Sequence, residues 1–227
     1  MWAIPMVNLR SRSPTPPSRR TVVPMTDDLT ALALIGSLKP SPSPSSSEHL
    51  ANQVLSALAQ HGVTGSTLRL ADHDIRPGVE TDMGDGDQWP AIREQILAAD
   101  ILLIATPIWM GQTSSVTKRA LERLDAELSE TQEDGRPILF DKVAAVAVVG
   151  NEDGAHHVSA EVYQALNDVG YSFAPQAVTY WVGEAMGSVD YRDLPETPES
   201  VATTTATLAR NTAHLARQLR AQPYPGE

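Results

Sequence analysis

"TALALIGSLKPSPSPSSSEHLA", Thr30 to Ala51, decides how the rest of this chain is read. An apolar run closes at Gly36, a Ser/Pro-rich stretch follows from Ser37 to Ser47, and a helical pattern then begins. By composition the middle stretch is a flexible surface linker. By position it is the loop between a strand and a helix N-terminus, where free backbone N–H groups and the helix dipole favour an anion. The choice turns on whether Thr30–Gly36 opens a parallel sheet.

Other runs say that it does. "ILLIAT" at Ile101–Thr106 and "VAAVAVVG" at Val143–Gly150 are as apolar as the first. Near-continuous apolar strands are what a parallel sheet covered on both faces needs, whereas a half-solvated sheet would alternate. "STLRLAD" at Ser66–Asp72 is mixed and belongs nearer an edge, and "YSFAPQAVTYW" at Tyr171–Trp181 supplies a fifth strand.

Helical stripes fill the gaps. Leu50, Val54, Leu55 and Leu58 share a face, with Ser45-x-x-Glu48 at capping-box spacing and Gly62 as a stop. Pro90 suits the first turn of a helix bearing Ile92, Ile96 and Leu97. Val116, Ala120, Leu124 and Leu128 form a third stripe, and Val158, Val162, Leu166 and Val169 a fourth. A last helix carries Leu208, Leu215 and Leu219. Strand and helix thus alternate five times, which predicts a three-layer α/β sandwich on a five-stranded parallel sheet of order 2-1-3-4-5. Ligands of such sheets bind beyond the carboxyl ends of the strands, where the order reverses. Residues 29–222 are expected to form this domain and residues 1–28 a flexible basic extension.

The chain has 227 residues and no cysteine, which excludes disulfides and thiolate metal sites and fits a reducing cytoplasm. Its formal net charge is -11, although Arg10, Arg12, Arg19 and Arg20 sit in a tail free of acids up to Met25. The acidic remainder repels nucleic acid and anionic lipid, so neither is an expected partner. No apolar stretch approaches the ~20 residues of a membrane span.

Three loops are predicted to meet at the switch point. The first offers Ser37, Lys39, Ser41, Ser45, Ser46 and Ser47. With no GxGxxG and no Walker lysine, it suits a phosphate monoester rather than a dinucleotide or a triphosphate. The second holds Pro107, Ile108, Trp109, Met110 and Gly111, an apolar turn fit to cover a flat ring or to pack on a partner subunit. The third holds Asn151, Glu152, Asp153 and Gly154, polar groups beside a glycine, followed by His156 and His157. Adjacent helical histidines point ~100° apart and chelate one ion poorly, so no metal is expected. His156 is either a polar neighbour of the ligand or an ordinary surface histidine.

"ALALIGSLKPSPSPSS", "LLIATPIWMGQTSSVTKRALERLD" and "VVGNEDGAHH" together resemble the flavodoxin-like NADPH-dependent FMN reductase family, over about residues 30–220. Gly36, Ser37, Leu38 and Lys39 match that family's first-loop opening, Ser45–Ser47 its phosphate-loop end, and Pro107 its second loop. Trp109 stands near a usual tyrosine, and the family's multiple-glycine third loop is here "GNEDGAHH". The resemblance implies bound FMN, hydride from NADPH or NADH, a small-molecule acceptor such as a quinone or a flavin, and a homodimer or homotetramer. It names no obligatory side-chain acid or base. A flavodoxin-type electron carrier is the alternative.

Overall fold

The computed structural model describes residues 28–226, so the expected N-terminal extension lies outside the described residues except for Asp28. In chain order the elements are β1 (Leu29–Ile35), α1 (Ser46–Ala59), β2 (Val63–Arg69), α2 (Trp89–Ala98), β3 (Ile101–Trp109), β4 (Gln112–Thr113), α3 (Ser115–Leu124), β5 (Val143–Gly150), α4 (Ala155–Asp168), β6 (Ser172–Val182) and α5 (Glu199–Ala221). The sheet runs β2-β1-β3-β5-β6, every neighbour parallel, with β4 antiparallel on the end of β3. This is the flavodoxin-like order expected from the sequence, with one short strand added.

Why the strands are apolar throughout is plain from the two cores. Leu29, Ala31, Ala33 and Ile35 of β1 pack in one cluster with Leu50, Val54 and Leu58 of α1 and Leu208 of α5. Leu32 and Leu34 pack in the other, with Trp89, Ile92 and Ile96 of α2, Leu124 of α3 and Val162 of α4. Each fully buried Leu or Ile contributes about 1.5–3 kcal/mol, so covering both faces is what holds the layers together.

Several boundaries differ from the sequence pattern, β3 among them, which runs past Thr106 to Trp109. β2 begins at Val63 because it pairs Leu29 with Val63 and Ile35 with Arg69, and Leu70–Asp72 coil into a 3-10 turn. The α3 stripe stops at Leu124, since Asp125–Ser129 form a 3-10 turn that leaves Leu128 exposed.

A buried hydroxyl cluster pins the strand ends that carry the loops. Ser114 Oγ donates to Gly36 O at 2.7 Å and lies 2.9 Å from Thr117 Oγ1, which contacts Thr106 Oγ1 at 3.1 Å. A Cβ on Gly36 would fall 1.9 Å from Thr117 Oγ1, so the approach of β1 to α3 requires glycine there.

Candidate functional site

The Ser/Pro stretch is an anchored loop, not a free linker. Ser45 caps α1, accepting from Glu48 N at 3.3 Å. Glu48 does not return its side chain to the cap; it pairs with Arg69 at the end of β2. Arg69 is buried, and its Nη1 also donates to Lys39 O at 3.3 Å and Ser43 O at 2.7 Å. Ser41 N and Oγ donate to the Asp72 carboxylate at 2.6 and 2.7 Å, and these bonds hold that carboxyl below its ordinary range. Arg192, beyond β6, donates to Pro44 O at 2.8 Å. Ser37 Oγ folds back to accept from Lys39 N at 3.2 Å. The first amides of α1, those of Ser46 and Ser47, have no acceptor within the helix.

The second loop is a hairpin. β3 runs on to Trp109, and the chain reverses through Met110 (φ 53°) and Gly111 (φ 73°) into β4. Positive φ at both central residues is what a two-residue hairpin turn of type I′ demands. Glu152 Oε1 accepts from Met110 N at 2.8 Å. From α4, His157 Nε2 meets Gln112 Oε1 at 3.0 Å, and Glu161 accepts from Thr113 Oγ1 at 3.0 Å. Trp109 is half-exposed and Met110 is 90% exposed.

The third loop closes on this hairpin. Gly154 sits at φ 130°, and a Cβ there would lie 2.9 Å from Gly111 Cα, so the two turns touch backbone to backbone. Asn151 donates from Nδ2 to Gly187 O at 3.3 Å, while its buried Oδ1 has no partner.

These loops line one cleft of about 580 Å³. Of the residues singled out in the sequence, Ser37, Lys39, Ser45, Ser46, Ser47, Pro107, Ile108, Trp109, Met110, Asn151 and Glu152 line it. Ser41, Gly111, Asp153, Gly154 and His156 stand outside the lining: Ser41 is turned to Asp72, Gly111 and Gly154 face each other, and His156 contacts Tyr180 OH at 3.2 Å. Trp181, Met186, Asp190, Tyr191 and Arg192 complete the wall from beyond β5. Arg69 and Arg192 escaped the sequence reading. An arginine between Leu68 and Leu70 at a strand end was a usable sign of a buried cation. Nothing near Arg192 tied it to a loop 148 residues earlier.

The cleft is graded. The end at the loop after β1 carries hydroxyls, helix N–H groups, Lys39, Arg192 and the Asp190 carboxylate that pairs with it; the other end is walled by Ile108, Trp109, Val149 and Trp181, with Glu152 at the edge. The donor set at one end and the flat apolar walls at the other fit a phosphorylated planar ring. Tyr191 is held by its ring against Trp181 and His49, at centroid distances of 5.4 and 5.6 Å. Burial raises the Tyr191 hydroxyl above its ordinary range, so it stays protonated and donates to Gln53 Oε1 at 2.6 Å.

The basic residues of α3, Lys118, Arg119 and Arg123, are each engaged by another part of the chain. Lys118 pairs with Glu161 at 3.3 Å, and Arg119 donates to Ile75 O at 3.1 Å. Arg123 is fully buried, bonded to Asp87 at 2.7 Å. Among the described residues no three His, Cys, Asp or Glu side chains converge to hold a metal, and no helix is long and apolar enough to cross a membrane.

A family model described as NADPH-dependent FMN reductase matches residues 29–186. The chain is 38% identical over 206 residues to a divalent metal cation transporter, MntH, of Mycobacterium bovis, covering 87% of this chain and 30% of the transporter. It is 35% identical over 207 residues to 8-demethyl-8-aminoriboflavin-5'-phosphate synthase of Streptomyces davaonensis, covering 86% of this chain and 80% of the synthase. The chain thus spans under a third of the first relative's length and four-fifths of the second's. Among solved structures, RosB with bound 8-demethyl-8-formylriboflavin-5'-phosphate shares 34% identity and a TM-score of 0.78, over 86% of this chain and 82% of its own.

Proposed function

This chain belongs to the NADPH-dependent FMN reductase family, whose members bind FMN and use NADPH, and from that premise we propose that it is a cytoplasmic oxidoreductase passing hydride from NAD(P)H through bound FMN to a small acceptor such as a quinone or a flavin. The observation that carries the reading is the graded cleft, with Ser45–Ser47 at one end and Ile108, Trp109 and Trp181 at the other. FMN bound there supplies a ring that accepts hydride from a nicotinamide and delivers electrons onward. The protein's part is to hold and to exclude. Ser46, Ser47 and the α1 amides bind the phosphate; the hairpin and Asn151 flank the ring; the apolar walls keep water off it. Glu152 fixes the hairpin tip through Met110 N, and no side-chain acid or base is required.

Leu38, Trp109, Met110, Met186 and Val189 are exposed, Met186 at 99%, and Leu38, Trp109, Met110 and Met186 line the cleft. We read this apolar rim as the contact with a second copy of the chain, which light scattering of the purified protein tests: a dimer supports it and a monomer with bound flavin removes it.

The experiment for the reaction is one absorbance series. The protein with FMN is titrated anaerobically with NADPH and then given a quinone. Bleaching of the flavin band and its return on quinone addition support the reading. Bound FMN that ignores NADPH points instead to an electron carrier, and no FMN binding ends both.

The 34% identity to RosB, a structure that holds a formylriboflavin phosphate, supports a second reading in which the flavin phosphate is itself the substrate. Mass spectrometry of the flavin after prolonged incubation separates the two: unaltered FMN favours the reductase, and a changed mass favours modification.

A further inference from the structure

We propose that Arg192 determines specificity for the phosphate of the flavin, so that the protein tells FMN from riboflavin by a guanidinium delivered from beyond β6 as well as by the loop after β1. This rests on the reading of the cleft as a flavin-phosphate site, and it holds whether the flavin is cofactor or substrate.

Arg192 sits in a 3-10 turn, Tyr191–Asp193, that is bolted to α1. Tyr191 is buried, donates to Gln53, and packs between Trp181 and His49. Next along the chain, Arg192 N lies 3.5 Å from Ser46 Oγ, and its Nη1 lies 2.8 Å from Pro44 O. The guanidinium is therefore mounted over the residues that open α1, and it lines the same cleft.

Its present partners are two aspartates, one of which, Asp190, also lines the cleft; together they outweigh its single positive charge but do not use all of its donors. Nη2 pairs with Asp190 at 3.0 Å and Nε with Asp193 at 3.4 Å. A guanidinium has five N–H groups in a fixed fork that matches phosphate, and it keeps its charge at any working pH. Two N–H groups, one on each terminal nitrogen, remain for a ligand. The other cation lining the cleft, Lys39, is exposed on the loop, where solvent screens a point charge. The Arg192 side chain is only 29% exposed, so its interaction with an anion is stronger. A phosphomonoester carries close to two negative charges at neutral pH, more than helix amides and hydroxyls neutralise. The flanking aspartates hold the fork in place until the phosphate arrives.

Calorimetry with FMN and with riboflavin tests this on the full chain. The wild type binds FMN more tightly than riboflavin. Arg192→Gln weakens FMN by about 10- to 100-fold, the worth of hydrogen bonds to a charged group, and leaves riboflavin unchanged. Arg192→Lys, which keeps the charge but not the fork, weakens FMN by a smaller factor and again spares riboflavin; it decides alone if the glutamine variant does not fold. Asp193→Asn, which removes a competing carboxylate, tightens FMN. An unchanged FMN-to-riboflavin ratio in both Arg192 variants overturns the inference while leaving the flavin site standing. A wild type that binds neither flavin overturns both.

Discussion

Arg69 and Arg123 each grip a long irregular loop by its backbone, one after β1 and the other after β2. Arg69 donates to the carbonyls of Lys39 and Ser43; Arg123 donates to those of Arg76 at 3.0 Å and Glu80 at 2.8 and 3.1 Å. Each arginine also has a carboxylate, Glu48 for the first and Asp87 for the second. The difference is in what remains. The loop around Asp87 is closed on itself: that carboxylate accepts from Arg76, Met83 and Trp89 N–H groups as well as from Arg123, and Arg123 lies over the Trp89 ring at 5.5 Å. The loop around Ser45 keeps hydroxyls and amides turned to the cleft. Holding a loop and leaving donors turned to a cleft is how a fold makes a binding site; holding a loop by carbonyls and a buried carboxylate makes a wall, even though the buried Trp89 indole N–H stays without a partner there.

The largest effect should come from the wall. Arg123→Ala strands Asp87 and should cost about 3–5 kcal/mol in denaturant unfolding, with FMN affinity of the folded fraction unchanged. A large affinity loss would break the comparison. Arg69→Ala should cost less stability, about 1–3 kcal/mol, because Glu48 keeps partial access to water, but it should weaken FMN more than Arg123→Ala does.

Acid sharpens the contrast. Burial alone would raise the Asp87 carboxyl, yet the N–H groups of Met83, Arg76 and Trp89 and the Arg123 guanidinium outweigh it and hold it at about 2. Against about 3.9 in the unfolded chain, a depressed native value means stability that is complete above pH ~4 and lost as pH falls toward 2. Circular dichroism over that window should show the loss, and Asp87→Asn should flatten it. The smallest effect belongs to the site: Ser47→Ala should leave stability within about 1 kcal/mol and weaken FMN roughly 2- to 10-fold, read by flavin fluorescence.

What the sequence disclosed follows the range of each interaction. The strand–helix alternation was legible because β1, β3 and β5 are buried on both faces and so carry no polar interruption. The cap at Ser45 was legible because its partner is three residues away. β4 was not, since two residues carry no period, and Gln112–Thr113 pair only because β3 overruns Thr106. The buried state of Arg123 was hidden for the same reason as Arg192: its partner Asp87 is 36 residues away in an irregular segment. Nothing local to α3 marks Arg123 as buried; a tertiary contact draws it inside. The floppy reading of Ser37–Ser47 failed likewise, because Arg69, Asp72 and Arg192 all reach it from other elements.

The backbone contact between Gly111 and Gly154 has an outcome for engineering. A Cβ on Gly154 would meet the Gly111 backbone at 2.9 Å, whereas one on Gly111 would meet nothing nearer than 4.0 Å, so a graft that brings a side chain to position 154 would collide with the hairpin. Recombination at this end of the molecule should succeed only when residues 107–114 and 150–155 travel as a single cassette.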